Sequence, residues 1–449
     1  MTDTRLTIDE AQAFLDANPG VQWIDAFVFD MNGIPRGKRV RRSDLLGIVK
    51  RGVLMPASVF IMDPLGNCIE ETGRLWETGD PDHQCYPLSR TLAPIPVGDG
   101  RSAQVVMALE VKDDLDPRAV LAGQVERFTL MGQTPVVALE LEFYVTSKAT
   151  NGAFVLETPV GLSDDPGRPL TFGFEEMDAL SPFINDIYRI CEVQGLPVDA
   201  VMKESGPGQF EINLKHRADA VDAALDGLLL KRAVKAAARA HQLEATFMAK
   251  PHHDWAGSGM HIHLSLMDRS GQNLFAGDPI SPLFRCALGG LRSTMADFMA
   301  IWAQSANAYR RYVPKAYVPM APHWGFNNRT VALRIPRSDG AGTRIEHRIA
   351  GADANPYLVI ASILAGMSHG IAKEIDPGPA IEGNAETIEA PPLPTAWVNA
   401  LDLFQRSEIV RDAFGSGFQE VFSRLKHAER SNFERIVTPL DHLWYSRVA

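Results

Sequence analysis

Several segments alternate charged or polar residues with apolar ones at a period of two, the pattern of a β-strand with one packed and one wet face. Strands are predicted over residues 135–145, 209–213, 245–248, 260–266 and 344–349, alternating with helices over 118–131 and 218–242. That succession argues for an α+β fold with a mainly antiparallel sheet and packed helices. Upstream, residues 8–15 have helical spacing and 22–30 (QWIDAFVFD) read as a strand running into Asp30-Met31-Asn32-Gly33, a hairpin signal. Pro and Gly punctuate 52–100, and 104–111 reads as another strand before Asp116-Pro117 opens a helix. A domain boundary near residue 112 follows, separating a small β-rich domain (1–112) from a larger one (113–449). The 449 residues exceed what one core usually supports, roughly 250–300 residues. Residues 376–394 read as a long surface loop and 401–433 as helical.

With 55 acidic against 44 basic residues the net charge is -11, and the densest basic run is Lys38-Arg39-Val40-Arg41-Arg42, so nucleic acid is not expected as a partner. Cys68, Cys85, Cys191 and Cys286 are scattered with no C-x-x-C pair, arguing against a disulfide framework or zinc knuckle and for a reducing, cytoplasmic setting. The longest oily stretch, 357–367, is too short to span a bilayer, and no membrane association is expected.

Four pieces carry chemistry. In Leu139-Glu140-Leu141-Glu142-Phe143-Tyr144 two carboxylates share one strand face. Alone this is an ordinary exposed face. A second pair, Glu204 and Glu211, flanks the turn Ser205-Gly206-Pro207-Gly208-Gln209-Phe210, and like charges brought together need a cation or a proton to offset them. Gly257-Ser258-Gly259-Met260-His261-Ile262-His263 leads two imidazoles onto one strand face. Finally Arg329, Arg334, Arg337, Arg344 and Arg348, with Glu346 among them, alternate with apolar residues as guanidiniums aimed from a packed sheet towards anions. Carboxylates, imidazole and no nearby cysteine suit Mg²⁺ or Mn²⁺ better than zinc, and cations with arginines are what phosphoryl transfer requires. No G-x-x-x-x-G-K-[ST] or complete G-x-G-x-x-G is present, so any ATP is held by another architecture.

In this order the four pieces resemble the glutamine synthetase superfamily, from about residue 20 onward. The resemblance implies an N-terminal β-grasp domain, a larger sheet-and-helix catalytic domain, and a dodecamer of two hexameric rings in which a neighbour's N-terminal domain closes each site. It implies that Glu142, Glu204 and Glu211 hold one metal and Glu140, His261 and Glu346 another, two or three ions per site. Gly257, Arg311 and Arg348 would hold glutamate; His263, Ser265, Arg334 and Arg344 would face ATP; Arg329 would stabilise the transferring phosphoryl group.

Two departures bear on the acceptor. Family members that use ammonium carry an acid in each of two segments that match Met55-Pro56-Ala57-Ser58-Val59 and Val313-Pro314-Lys315-Ala316-Tyr317-Val318-Pro319 here. Pro56 and Tyr317 replace those acids, leaving nothing to compensate a desolvated ammonium; Trp324 is a further candidate wall. The segments 56–60, 62–67, 247–251, 324–329 and 350–358 resemble family members that cap putrescine with glutamate. The resulting expectation is ATP-dependent ligation of the glutamate γ-carboxylate to a small amine, putrescine or another polyamine or alkylamine, through γ-glutamyl phosphate. Asp63, Glu70 or Glu71 are candidates for holding a diamine's distal ammonium. The alternatives are an ammonium-dependent glutamine synthetase, a catalytically silent ring-forming relative and, from H-x-H alone, a metal-dependent amidohydrolase.

Overall fold

The computed structural model describes residues 5–148, 157–159, 162 and 170–448. Two sheets organise it. The first has β1 (Trp23–Phe29), β2 (Pro35–Arg41), β3 (Val53–Pro56), β4 (Asp82–Pro87), β5 (Ala93–Ile95) and β6 (Ser102–Leu109). Its order is β2-β1-β6-β4-β3 with β5 also on β6, and only β1 and β6 run parallel. The predicted Asn-Gly hairpin joins β1 to β2: the Asp30 carboxylate accepts the N–H groups of Asn32 and Ile34, and Gly33 takes a φ of 72° that a side chain would disfavour.

The second sheet comprises β7 (Thr134–Ser147), β8 (Val198–Lys203), β9 (Gln209–Leu214), β10 (Leu243–Thr246), β11 (Met260–Met267), β12 (Trp324–Phe326), β13 (Leu333–Ile335) and β14 (Ile345–His347). The order is β12-β13-β14-β11-β7-β9-β8, with β10 extending the ladder on β7, and only β12–β13 is parallel. The fold is therefore α+β, with the mainly antiparallel sheet that the alternation predicts.

The core is sealed by helices. Pro356–Lys373, which contains the oily stretch, is buried along most of its length and packs against Pro282–Thr294 and Pro117–Leu130. Backbone touches backbone where Pro282–Thr294 crosses it: a Cβ on Gly290 would stand 2.1 Å from the Gly366 carbonyl oxygen, so only glycine fits there. Among the described residues no helix is long and apolar enough to cross a membrane.

Two predicted elements shift. The strand expected over 245–248 lies at Leu243–Thr246, because the preceding helix stops at Ala240, Gln242 turns the chain with a φ of 58°, and pairing with Tyr144–Ser147 begins at once. The helical stretch expected over 401–433 divides into Trp397–Arg406, Glu408–Phe414 and Ser416–Glu434. Ser407 caps the second helix through the Val410 N–H, and Gly415, at a φ of 86°, ends it.

Candidate active site

Strand register assembles the charged groups into rows. Glu140 on β7 lies opposite His261 on β11 and Asn213 on β9, and Glu142 lies opposite Glu211. One step along, His263 faces Glu346 on β14, which faces Arg334 on β13. Period two puts these side chains on one face, and all of them but His263 line a cavity of about 540 Å³. Glu204, just past β8, joins the wall because the Lys203 ammonium donates to the Gly206 carbonyl at 2.7 Å and pins the intervening turn.

The Gly-Ser-Gly loop before β11 is shaped around an arginine. A Cβ on Gly257 would stand 2.6 Å from Arg311 Cγ, and one on Gly259 2.8 Å from Arg311 Nη2. Arg311 is thereby buried against the loop, donating Nη1–H to the Ile349 carbonyl at 2.7 Å. The Gly259 N–H in turn donates to Glu142 Oε2 at 2.7 Å. Arg348 and Arg334 both donate to Glu346. Arg329 stands exposed at the rim and forms no ion pair among the described residues.

Burial and neighbouring charge divide the carboxylates. Burial pushes Glu140 up, but the hydrogen bonds of His261 and His263 outweigh it and hold the carboxyl well below its ordinary range. Glu346 is raised by burial yet brought to about 2 by His261, Arg348, His263 and Arg334. Glu204 moves the other way, to about 7, through burial and the charge of Glu142. Glu211 is pushed far up by burial and by the charges of Glu140, Glu142, Glu204 and Glu346. Among the described residues Glu142, Glu204 and Glu211 form no ion pair.

That excess of uncompensated carboxylate is what a divalent cation offsets. Glu140, Glu211 and His261 each bring a ligand atom within 4.8 Å of the others, as do Glu140, His263 and Glu346. His261 faces Glu140 Oε2 with Nδ1 at 3.2 Å, which leaves Nε2 for an ion. Arg344 donates Nε–H to His263 Nδ1 at 3.1 Å, so the remaining proton sits on Nε2, 2.9 Å from Glu140 Oε1. The donor set fits a hard divalent ion.

Of the residues singled out in the sequence, Glu140, Glu142, Glu204, Glu211, Gly257, His261, Arg311, Tyr317, Arg329, Arg334, Glu346 and Arg348 line this cavity. Tyr317 is 69% exposed at the mouth, on a loop where both it and Lys315 have positive φ. His263 and Arg344 stand behind Glu140, and Ser265 is buried further along β11 opposite Val136. Trp324 lies outside the cavity, 2% exposed, its indole N–H donating to the Gly378 carbonyl at 3.2 Å. Pro56, in the first sheet, does not line the cavity of its own chain. Neither do Asp63, whose carboxylate is taken by Asn67, nor Glu70, which accepts the Trp76 indole N–H, nor Glu71. Gln209 and Asn213 also line the wall, though the charged motifs do not single them out. Gln209 donates to the Gly257 carbonyl at 2.9 Å and accepts the Gly206 N–H, tying turn to loop, and Asn213 stands beside Glu140. Counting by twos from Glu211 finds both.

This geometry gathers carboxylates, imidazole and arginines that could hold divalent ions in one cavity on a two-sheet α+β scaffold. Residues 114–445 match the family described as glutamine synthetase, catalytic domain, and the chain belongs to that family. It is 39% identical over 443 residues to the gamma-glutamylputrescine synthetase PuuA of Escherichia coli (strain K12), covering 97% of this chain and 94% of that protein. It is 31% identical over 421 residues to a glutamate–isopropylamine ligase of a Pseudomonas species, covering 88% and 89%. A solved structure described as a GmaS/ADP complex superposes with a TM-score of 0.84 at 24% identity, covering 98% of this chain and all of that one, a likeness of fold.

Proposed function

We propose that the protein joins the γ-carboxylate of glutamate to the nitrogen of a small amine, putrescine or another polyamine or alkylamine, at the expense of ATP. The carrying observation is the cavity in which five glutamates and His261 meet Arg311, Arg329 and Arg348. The two curated relatives, each named for a γ-glutamyl–amine or glutamate–amine ligation, support it.

Gly257, Arg311 and Arg348 hold glutamate, and His263, Ser265, Arg334 and Arg344 face ATP. Glu142, Glu204 and Glu211 would bind one Mg²⁺ or Mn²⁺ and Glu140, His261 and Glu346 another, two or three ions in all, supplying charge neutralisation between the carboxylate and the triphosphate. In the first step a γ-carboxylate oxygen bonds to the γ-phosphorus and ADP leaves, Arg329 stabilising the charge on the phosphoryl oxygens. The amine nitrogen then attacks the acyl carbon, phosphate departs, and the nitrogen loses a proton. Positioning the three substrates together lowers the entropic cost of both steps.

Ammonium is the rival acceptor. Tyr317 offers an aromatic wall where ammonium users carry an acid, favouring an acceptor with a carbon chain. The test is phosphate release with glutamate, ATP and Mg²⁺ across ammonium, monoamines, diamines and polyamines. Release with amines well above that with ammonium is expected; release with ammonium alone would reassign the protein as a glutamine synthetase, and none with any acceptor would favour a catalytically silent role.

The reading includes residues 1–112 and 113–449 as the two domains, a cytoplasmic setting supported by four free cysteines, and assembly into two hexameric rings. Supporting assembly, Ile436, Val437, Leu440, Leu443 and Trp444 all stand more than half exposed on and before the terminal helix Pro439–Tyr445, which buries none of its residues in its own chain. Deleting residues 436–449 is therefore expected to release smaller species in light scattering; an unchanged mass would contradict this use of the segment.

A further inference from the structure

Beside the catalytic cavity lies a shallower pocket of about 370 Å³ that shares Tyr317 with it and is otherwise lined by Lys315, Thr330, Gly383, Asn384 and Glu386. The polar groups of its floor are already satisfied. Thr330 Oγ1 donates to Asn328 Oδ1 at 2.7 Å and accepts the Ala385 N–H, while the Gly383 carbonyl accepts from Asn328. Glu386 is different. Its Oε1 accepts the Lys315 backbone N–H at 2.9 Å, which ties the Tyr317 loop to the 382–387 segment, and its carboxylate forms no ion pair among the described residues, the Lys315 ammonium included. The tether fixes a loop whose Lys315 and Tyr317 both have left-handed φ, 63° and 52°. Tyr317 thus borders both the catalytic cavity and the pocket that holds this anchored, unneutralised carboxylate.

We infer that Glu386 holds the distal ammonium of an α,ω-diamine whose other nitrogen is at the reaction centre, with Tyr317 covering the carbon chain between them. This deepens, and rests on, the amine-ligation reading. Glu386 is then a specificity-determining residue: it selects diamines over monoamines of equal length without touching the reacting atoms. Because the charge is near solvent, its share in affinity is modest and sensitive to salt.

The test is steady-state phosphate release with an α,ω-diamine and the monoamine of the same chain length, for the wild type and Glu386→Gln. The amide keeps an oxygen to accept the Lys315 N–H, so the loop stays tethered while the charge is lost. The KM for the diamine is expected to rise about three- to tenfold with kcat unchanged, the monoamine KM to stay put, and the rise of diamine KM with ionic strength to disappear in the variant. Equal shifts for both amines, or none for the diamine, would overturn the inference. A wild type that releases no phosphate with any amine would instead sink the ligation reading itself.

Discussion

Glu346→Ala is expected to destabilise the protein by about 3–5 kcal/mol and to abolish ligation. The side chain is 1% exposed and accepts from Arg334 and Arg348, with His261 Nδ1 4.0 Å away. The neighbouring imidazoles and the two guanidiniums bring its carboxyl to about 2 against the upward push of burial, so it is ionised across the working range. Removing it strands two largely buried guanidiniums with no counter-charge, and that desolvation penalty, rather than lost attraction, makes the large term. Since a carboxylate whose pKa is depressed stabilises above its ordinary value and ceases to do so as pH falls through the folded one, the deficit should persist from pH 5 to 9. Thermal or urea unfolding of wild type and variant measures it; a difference below about 1 kcal/mol would show that the arginines are not held by Glu346.

Glu211→Gln should act in the opposite sense on stability while costing activity heavily. Glu211 is buried, crowded by Glu140, Glu142, Glu204 and Glu346 and without a cationic partner among the described residues, so burial first and those charges next raise its pKa. A carboxyl raised on folding stabilises while protonated, below its ordinary value of 4.5, and that contribution is lost as pH climbs towards the folded value. At pH 8 without divalent ions, below the folded value of about 10, the folded side chain must take up a proton that the unfolded chain has released, which opposes folding, and the glutamine variant should melt higher, by about 1–3 kcal/mol of stability. Activity should fall by about 10²–10³-fold, because the amide cannot give up a proton to become the carboxylate that would hold the cation. A variant that melts no higher, or that keeps its rate, would show that Glu211 is not under this electrostatic load.

The two effects together explain what could be read in advance. Period-two alternation is local, so Glu140 with Glu142 and His261 with His263 fell on shared faces before any register was known, and the antiparallel sheet followed. Which strand neighbours which is not local. Glu346 meets His263 and Arg334 only because β14 lies between β11 and β13, whereas the resemblance grouped Glu346 with Glu140 and His261 and set His263 and Arg334 towards ATP. Trp324 shows the limit of reasoning from a segment. It sits five residues from Arg329, but the Ile381 N–H bonds to its carbonyl, and the 376–394 loop covers its ring and turns it into core. The loop bearing Tyr317 is likewise held from outside, by Glu386, seventy-one residues from Lys315. Pro56 belongs to a sheet that does not reach its own chain's cavity, so its reading depends on an arrangement of subunits that local pattern does not encode.

Manganese binding followed by electron paramagnetic resonance addresses the central claim most directly, since it asks for the cation and not for turnover. At least two Mn²⁺ per chain should bind to the wild type, be displaced by Mg²⁺, and be weakened by Glu140→Gln and by Glu211→Gln alike. A wild type that binds none, or binding indifferent to both substitutions, would mean that the carboxylates meet for some other reason and that the proposed ligation has no electrostatic foundation.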